Sequence, residues 1–483
     1  MKKFSRIISL LLALVMVAGL AAACGNASDS TADSGAAAGS SSARNSQAAQ
    51  ADTITALLPP VSPTYQQNFD KFSKDFNTKY PNLTLKIEPA SWEDMTQKLD
   101  VQVNAGSPPD VAFIGSDGIA KYVDTGLLMN IKDTAAPDML SDYDEGPLAY
   151  MKNGDGLYGF PAYMEIHAIG GNKQFLEDAG IDYKSVQQNG WTFEQFREAI
   201  KKGVVKNGNT TTRYGFVFAS AGVAAKDYLG IMVKAAGMPS SFTKDLKYSY
   251  TSKNYLELLK DLRTLIDDGS MPKELSSVDA GKRWNMFLTG QTMITGKGLA
   301  TFENSAKTNN KKIDANDGSA VKDSIKVDYI VLPIPSFAGA QASSSPAVDG
   351  YVTFRGKTEP TKEHVDNVVK AAYYMASGEV AAITNNDLFV AHITKTAREA
   401  AKSMTIDRNP DNVTAVENML KIAAPARPDI PTELGAKAIK IEDEVIVPKF
   451  QALLANEITP EAMYKAVKEA AIAAFGEDGI VKD

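Results

Sequence analysis

Apolar residues first fall into a pattern at 53–58, a short strand-like run that the proline-rich stretch 59–63 ends. Phe69, Phe72, Phe76 and Tyr80 then recur at the three- and four-residue spacing of one helix face. Pro81 stops that helix, and Leu83, Leu85 and Ile87 alternate as a half-buried strand should. Trp92, Met95, Leu99 and Val103 repeat the helical spacing as far as Gly106 and the pair Pro108 and Pro109. The run 111–114 is apolar without interruption, as in a strand covered on both faces. This β-α-β-α-β order predicts a parallel, doubly wound sheet. In such sheets ligands lie beyond the carboxyl ends of the strands, which here means the loop 115–118 carrying Asp117.

The stretch 156–173, GLYGFPAYMEIHAIGGNK, separates this pattern from a second one. Pro161 stiffens it, and Gly170 and Gly171 permit backbone angles that other residues avoid. Tyr158, Phe160, Tyr163, Glu165 and His167 lie between them, so the segment could join two lobes and present rings and polar groups to a cleft. Beyond it, Thr192 and Gln195 form a capping box ahead of the stripe Phe193, Phe196 and Ile200. A strand is expected at 214–218, and helices at 227–236 and 254–268. Trp284 and Phe287 share a short helix, and the polar stretch 307–324 reads as an exposed loop. A strand at 327–332 leads to Pro333 and Pro335, the expected second crossover, followed by a strand at 348–354 and a helix at 365–376. The remainder from 388 is mostly helical, closing with a helix capped by Thr459, opened by Pro460 and striped by Met463, Val467, Ala471 and Phe475.

At 483 residues the chain is too long for one ordinary core, and 44% apolar with 23% charged residues is a globular balance. A net charge of −7 without a basic stripe excludes nucleic acid as a partner. The three histidines, His167, His364 and His392, show no metal-ligand spacing. GKGLAT at Gly296 misses the last glycine of the dinucleotide pattern, and 314–318 departs from a calcium loop. No enzyme, cofactor or metal is therefore expected. A pair of glycan-hydrolysing carboxylates, separated arbitrarily along a chain, is the catalytic alternative that sequence leaves open.

The amino terminus has its own logic. Lys2, Lys3 and Arg6 precede the charge-free apolar run 7–23, and Ala21, Ala22 and Ala23 lead into Cys24, the single cysteine. Residues 1–23 read as a secretory signal peptide. Residues 24–51, rich in Ser and Ala, cannot bury enough apolar surface to order themselves and read as a flexible tether. An exported chain with no other cysteine must fold without disulfides.

The segments SPPDVAFIGSDGIAKYVDTGLLMNI, GLYGFPAYMEIHAIGGNK, GWTFEQFREA, FLTGQTMITGKG and VLPIP occur in that order. Together they resemble the extracellular solute-binding proteins of ABC importers, in the sugar-binding branch. The region before Cys24 is similar to a lipobox, with Ala21 in place of the usual leucine. The resemblance implies an α/β, two-lobed, periplasmic-binding-protein-like fold (type II), each lobe a mostly parallel sheet flanked by helices, with hinge crossovers. Lobe 1 would comprise 52–162 and 333–387, and lobe 2 would comprise 163–332 and 388–483. It implies a monomer, lipidated at Cys24 and held on the outer face of the cytoplasmic membrane of a Gram-positive bacterium. That monomer would deliver a carbohydrate or other small polar solute to the transmembrane subunits of a permease. A non-sugar solute or a sensor role is the alternative.

Glu165 matches a ligand-contacting crossover glutamate of the family, and Asp117 an acidic ligand position after the Pro-Asp strand. Tyr163 and His167 flank the first. Asp227 and Tyr228 fall near a position that contributes a ring, and Asp349 and Tyr351 follow the second crossover. Trp92 either lines the cleft or packs in its helix stripe. Relatives that bind malto-oligosaccharides carry tryptophans where this chain has Ile114 and Leu299, with Phe302 the nearest ring, which argues against a linear glucan.

Overall fold

The computed structural model describes residues 51–482 apart from 222, 223 and 342. The leader, Cys24 and the tether lie outside the described residues. Nine strands form one continuous sheet: β1 Asp52–Leu58, β2 Leu83–Pro89, β3 Val111–Gly115, β4 Gly159–Asn172, β5 Val205–Asn207, β6 Thr210–Phe218, β7 Thr292–Gly298, β8 Tyr329–Leu332 and β9 Ser345–Thr353. Their order is β2-β1-β3-β9-β4-β7-β6-β5, with β8 paired to the free side of β4.

The first half forms as the hydrophobic pattern requires. β1 pairs in parallel with β2 and β3, and β9 returns antiparallel between β3 and β4. The helices Phe69–Lys79 and Trp92–Ala105 lay Phe72, Phe76, Met95 and Leu99 on this sheet. The helix Lys362–Ala376 adds Val368, Ala372 and Met375. The first core runs on through Leu388, Phe389, Val390 and Ile393, beyond the 387/388 division read from the sequence.

β4 is the strand that makes one sheet of two halves. Its amino-terminal part pairs with β9, and its last residues lie between β8 and β7. Burial is nearly unbroken along its length, so it is covered on both faces. Gly170 and Gly171 serve close approach here rather than unusual angles, since neither takes a left-handed φ. A Cβ on Gly170 would meet the Tyr329 ring at 2.3 Å.

The second half departs from the parallel expectation. β8 and β7 are both antiparallel to β4, and β5 is antiparallel to β6, leaving β6–β7 as the parallel pair. The sheet is therefore mixed, because β4 enters this half from the other one and its neighbours turn back along it. Phe193, Phe196 and Ile200 of the helix Phe193–Lys202 pack on one face, behind the expected Thr192–Gln195 capping box. The helices Ala224–Ala235, Lys253–Asp267, Val447–Leu454 and Pro460–Phe475 complete that core.

A smaller cluster of Ile166, Phe287, Ala306, Tyr329, Val331 and Met419 covers the opposite face. It includes a correction: the first half of the polar stretch expected as a loop at 307–324 belongs to the helix Thr301–Ala315. Few of its buried positions are apolar. Glu303 accepts from the Asn409 backbone N–H at 2.6 Å and from Asn412 at 2.8 Å, and Asn309 donates to Ser324 at 3.0 Å. Polar residues that are fully bonded can face inward as apolar ones do.

Candidate functional site

Alternation along β4 puts Tyr163, Glu165 and His167 on one face of the strand where it passes between the halves. On the side of the first half, β9 brings Asp349 level with Tyr163 on β4 and with Gly115 on β3. A bulge between Asp349 and Gly350 interrupts the register at this point, as bulges beside functional sites often do. The Tyr163 hydroxyl donates to Asp349 Oδ2 at 2.5 Å. Gly115 keeps the space open, because a Cβ there would lie 2.5 Å from Asp117 Oδ1 and 3.2 Å from Asp349 Oδ1.

The second half supplies cations. Lys297, near the end of β7, donates to Asp227 Oδ2 at 2.9 Å. Lys226, one residue before Asp227 on the helix Ala224–Ala235, stands 3.3 Å from Glu442, 3.6 Å from Asp117 and 3.8 Å from Asp443. Glu442 and Asp443 belong to a short π-helical turn, Glu442–Ile446, a form that recurs at functional sites. Arg283 underlies Lys297 and donates to its carbonyl oxygen.

Burial dominates the electrostatics. It pushes the Glu165 carboxyl up to about 8, against the pull of Lys297, with the charge of Asp349 adding to the rise. Burial also lifts Asp349 to about 6, although the Tyr163 hydrogen bond and Lys297 hold it down. For Lys297 burial works against the charge, yet Asp227, with Asp349 and Glu165 beyond it, raises the ammonium above its ordinary range. His167 is driven well below the usual imidazole range by burial first, and then by Lys297 and Lys234. It is a neutral ring near pH 7. Glu165 is 5% exposed, and its Oε1 has no hydrogen-bond partner among the described residues.

Of the residues singled out from sequence, Asp117, Tyr163, Glu165, His167, Asp227 and Asp349 come together here. Asp117 lies in the turn Ser116–Gly118 and bonds no cap position of the following helix, so it is free to face Lys226. Two others are corrected by packing. Tyr228 is in the second core, stacked on Phe218 with ring centroids 3.5 Å apart, and Tyr351 is fully buried in the first core with its hydroxyl on Tyr65. Phe302 packs in a tilted pair with Trp284, ring centroids 4.6 Å apart, at the edge of the smaller cluster. Trp92 is 43% exposed, against Phe113, which neighbours Tyr163 in turn.

Sequence reasoning missed Lys226, Lys297, Arg283 and Glu442. Lys297 carried a signal: it is the one charge in the strand TMITGKG, and strand charges that are not solvated need partners.

Among the described residues, side-chain contacts also join the halves beside the strand itself. Lys226 of the second half reaches Asp117 of the first, and Asn304 and Thr301 donate to the Asp387 carbonyl oxygen at 3.0 and 3.3 Å. The helix Thr432–Ile441, whose Ala438 and Ile441 pack in the second core, also comes close to the first half. A Cβ on Gly435 would be 2.9 Å from Ala120 Cβ. Among the described residues no helix is long and apolar enough to cross a membrane.

Comparison with known proteins accords with this architecture. The family model described as bacterial extracellular solute-binding protein matches residues 57–382. A putative binding protein of Brucella abortus is 24% identical over 257 residues, 53% of this chain and 60% of the relative. The match thus spans about three fifths of that relative's length. Lipoprotein LipO of Bacillus subtilis is 21% identical over 359 residues, 72% of this chain and 68% of that one. Among solved structures, an ABC substrate-binding protein of Listeria monocytogenes in complex with cycloalternan superposes with a TM-score of 0.66 at 19% identity. That superposition covers 89% of this chain and all (100%) of the other. The GacH receptor of Streptomyces glaucescens, solved unliganded and with acarbose, gives 0.67 at 16% identity over 88% of this chain and 99% of its own. These likenesses establish the α/β periplasmic-binding-protein-like fold. With residues 57–382 of its 483 matched, the chain belongs to the bacterial extracellular solute-binding proteins.

Proposed function

We propose that this protein is the extracellular binding component of an ABC importer, that it captures a carbohydrate between its two halves, and that it hands it to a membrane permease. The observation that carries the reading is the shared face of Tyr163, Glu165 and His167 on β4, opposed by Asp349 on one side and Lys297 on the other. Sugar hydroxyls suit such a face, because each can donate to a carboxylate and accept from an ammonium or a phenol. Glu165 Oε1, buried and without a partner among the described residues, is an acceptor that a ligand hydroxyl would satisfy. Solved relatives of the same fold are described with cycloalternan, acarbose, tagatose and maltose, which supports a carbohydrate over other solutes.

In this reading ligand contacts made from both halves favour the closed arrangement, which the Lys226–Asp117 and Asn304–Asp387 contacts also hold. The protein acts as a monomer on the outer face of the cytoplasmic membrane, held by lipid on Cys24, in a Gram-positive envelope. It carries out no catalysis.

The test is thermal unfolding of the purified protein against a panel of mono- and oligosaccharides. A ligand at a hundred times its dissociation constant adds about 2.7 kcal/mol to stability, a shift of several degrees. A carbohydrate that raises the melting temperature, and fails to do so in the Glu165→Ala variant, supports the reading. Absence of any shift, with peptides or other polar solutes shifting it instead, overturns it.

A further inference from the structure

The charges around β4 do not balance, and the imbalance has a definite place. The groups facing this space are Asp117 and Asp349 from the first half and Glu165 from the crossing strand. The second half contributes Lys226, Asp227, Lys234, Lys297, Arg283, Glu442 and Asp443. The carboxylates outnumber the cations, and the cations are already engaged. Lys297 bonds Asp227, Lys226 lies among Asp117, Glu442 and Asp443, Lys234 donates to the Gly230 carbonyl oxygen of its own helix, and Arg283 donates to the Lys297 carbonyl and Thr295. What remains is Glu165 and Asp349, which make no ion pair among the described residues. Asp349 has the Tyr163 hydroxyl; Glu165 receives a backbone hydrogen bond from Ala300 and keeps one buried oxygen with no donor among the described residues.

A carboxylate taken out of water without a bonded counter-charge is costly, and for these two Lys297 acts only through space, its own hydrogen bond going to Asp227. Protonation relieves the cost in the empty protein, in line with the upward displacement of both groups. A bound cation would relieve it better, because it leaves the carboxylates charged and gives the orphaned oxygen a charge-assisted donor. The rest of the site suits a hydroxylated ligand, as argued above. We infer that the site takes a carbohydrate bearing a protonated amine, with the ammonium directed to Glu165 and Asp349. This rests on the carbohydrate reading and narrows it: the amino group, not ring size or linkage, is what this chain selects.

The experiment is calorimetric titration of the full protein at about pH 7 with paired ligands: amino sugars, their N-acetylated forms and the neutral parent sugars, as monomers and short oligomers. The expected result is an amino sugar bound at least about tenfold tighter than its neutral parent, an advantage of about 1.4 kcal/mol. N-acetylation should abolish that advantage. In Glu165→Gln, which keeps size and removes charge, the preference should fall below about threefold while the neutral parent loses less. Asp349→Asn provides the same comparison if the first variant does not fold, with circular dichroism as the check on each. Neutral sugars that bind as tightly as the amines overturn this inference and leave the carbohydrate reading standing. If no sugar of either kind binds, the carbohydrate reading fails and takes this inference with it.

Discussion

His364 offers a test of the first half that needs no ligand. It stands at the start of the helix Lys362–Ala376, with Nδ1 2.9 Å from Asp52 Oδ2 and Nε2 3.2 Å from Asp110 Oδ1. Asp52 opens β1 and Asp110 immediately precedes β3, so the imidazole joins the helix to the edges of two parallel strands. Burial works against its charge, but the hydrogen bonds to Asp52 and Asp110 outweigh it and raise the imidazolium above its ordinary range. The group binds its proton more tightly folded than unfolded. Its contribution is therefore complete below the unfolded value of about 6.5 and is lost as pH rises through the folded one. Asp52, held below the usual carboxylate range, contributes in the opposite sense, above its unfolded value and down to its folded one. Both are fully present in mildly acidic solution. The imidazole is 27% exposed in its side chain, and after allowance for solvent screening the charged interaction is worth about 1 kcal/mol. His364→Gln should therefore cost about 1 kcal/mol more at about pH 5.5 than at about pH 9, as read by urea unfolding of both proteins at both pH values. With three histidines in the chain, substitution assigns the His364 resonance in an NMR titration. Equal destabilisation at the two pH values, or a His364 that titrates at or below its unfolded value, would refute the reasoning.

Three further outcomes follow from packing and charge. Lys226→Met removes the cation shared by Asp117, Glu442 and Asp443 and should destabilise the protein by about 2 kcal/mol, less than for a fully buried pair because the lysine is partly exposed. The loss should shrink when the same urea titration is repeated at low pH, where the orphaned carboxylates protonate. Gly298→Ala places a Cβ 2.3 Å from the Ile169 carbonyl carbon and 2.5 Å from the Gly170 nitrogen, which are backbone atoms of β4 that cannot step aside. It should cost about 3 kcal/mol in calorimetry, whereas a loss below about 1 kcal/mol would mean that the β4–β7 pairing is looser than drawn. Thr192→Ala breaks the capping box of the helix Phe193–Lys202 and should cost about 1 kcal/mol without affecting any ligand, so an altered affinity would show this helix coupled to the site.

The fold was legible wherever a buried face is apolar and periodic. Phe72 with Phe76, Met95 with Leu99 and Phe193 with Phe196 announce their helices because each stripe has little to do but pack. The helix Thr301–Ala315 was not legible, because Glu303 and Asn309 occupy inward positions and are satisfied by partners such as Asn412 and Ser324 that no local window contains. The mixed pairing of the second half was hidden for a related reason. An uninterrupted apolar run says that a strand is covered on both faces, but not which way its neighbours run.

The site divides along the same line. Glu165 could be picked out by its match to the family's crossover glutamate, and Asp117 by that resemblance and by its place in the loop beyond a strand's carboxyl end. Tyr228 and Tyr351 stood equally close in sequence and were claimed by the cores, since a ring gains more from Phe218 or Phe113 than from a wet cleft. The lysines were harder. Lys226 reads as an ordinary surface cation until the fold sets Asp117 and Glu442 against it, and Lys297, although it is the one charge in its strand, finds its partner Asp227 70 residues away in the chain. That order of legibility has a consequence for specificity. Glu165 and Asp349 are built on the crossing strand and its sheet neighbour. Lys226 and Lys297 come from the second half and are committed to other carboxylates. Reversing the charge preference of the site should therefore need changes at Glu165 and Asp349, whereas changes at Lys226 should alter closure and leave the choice of ligand as it was.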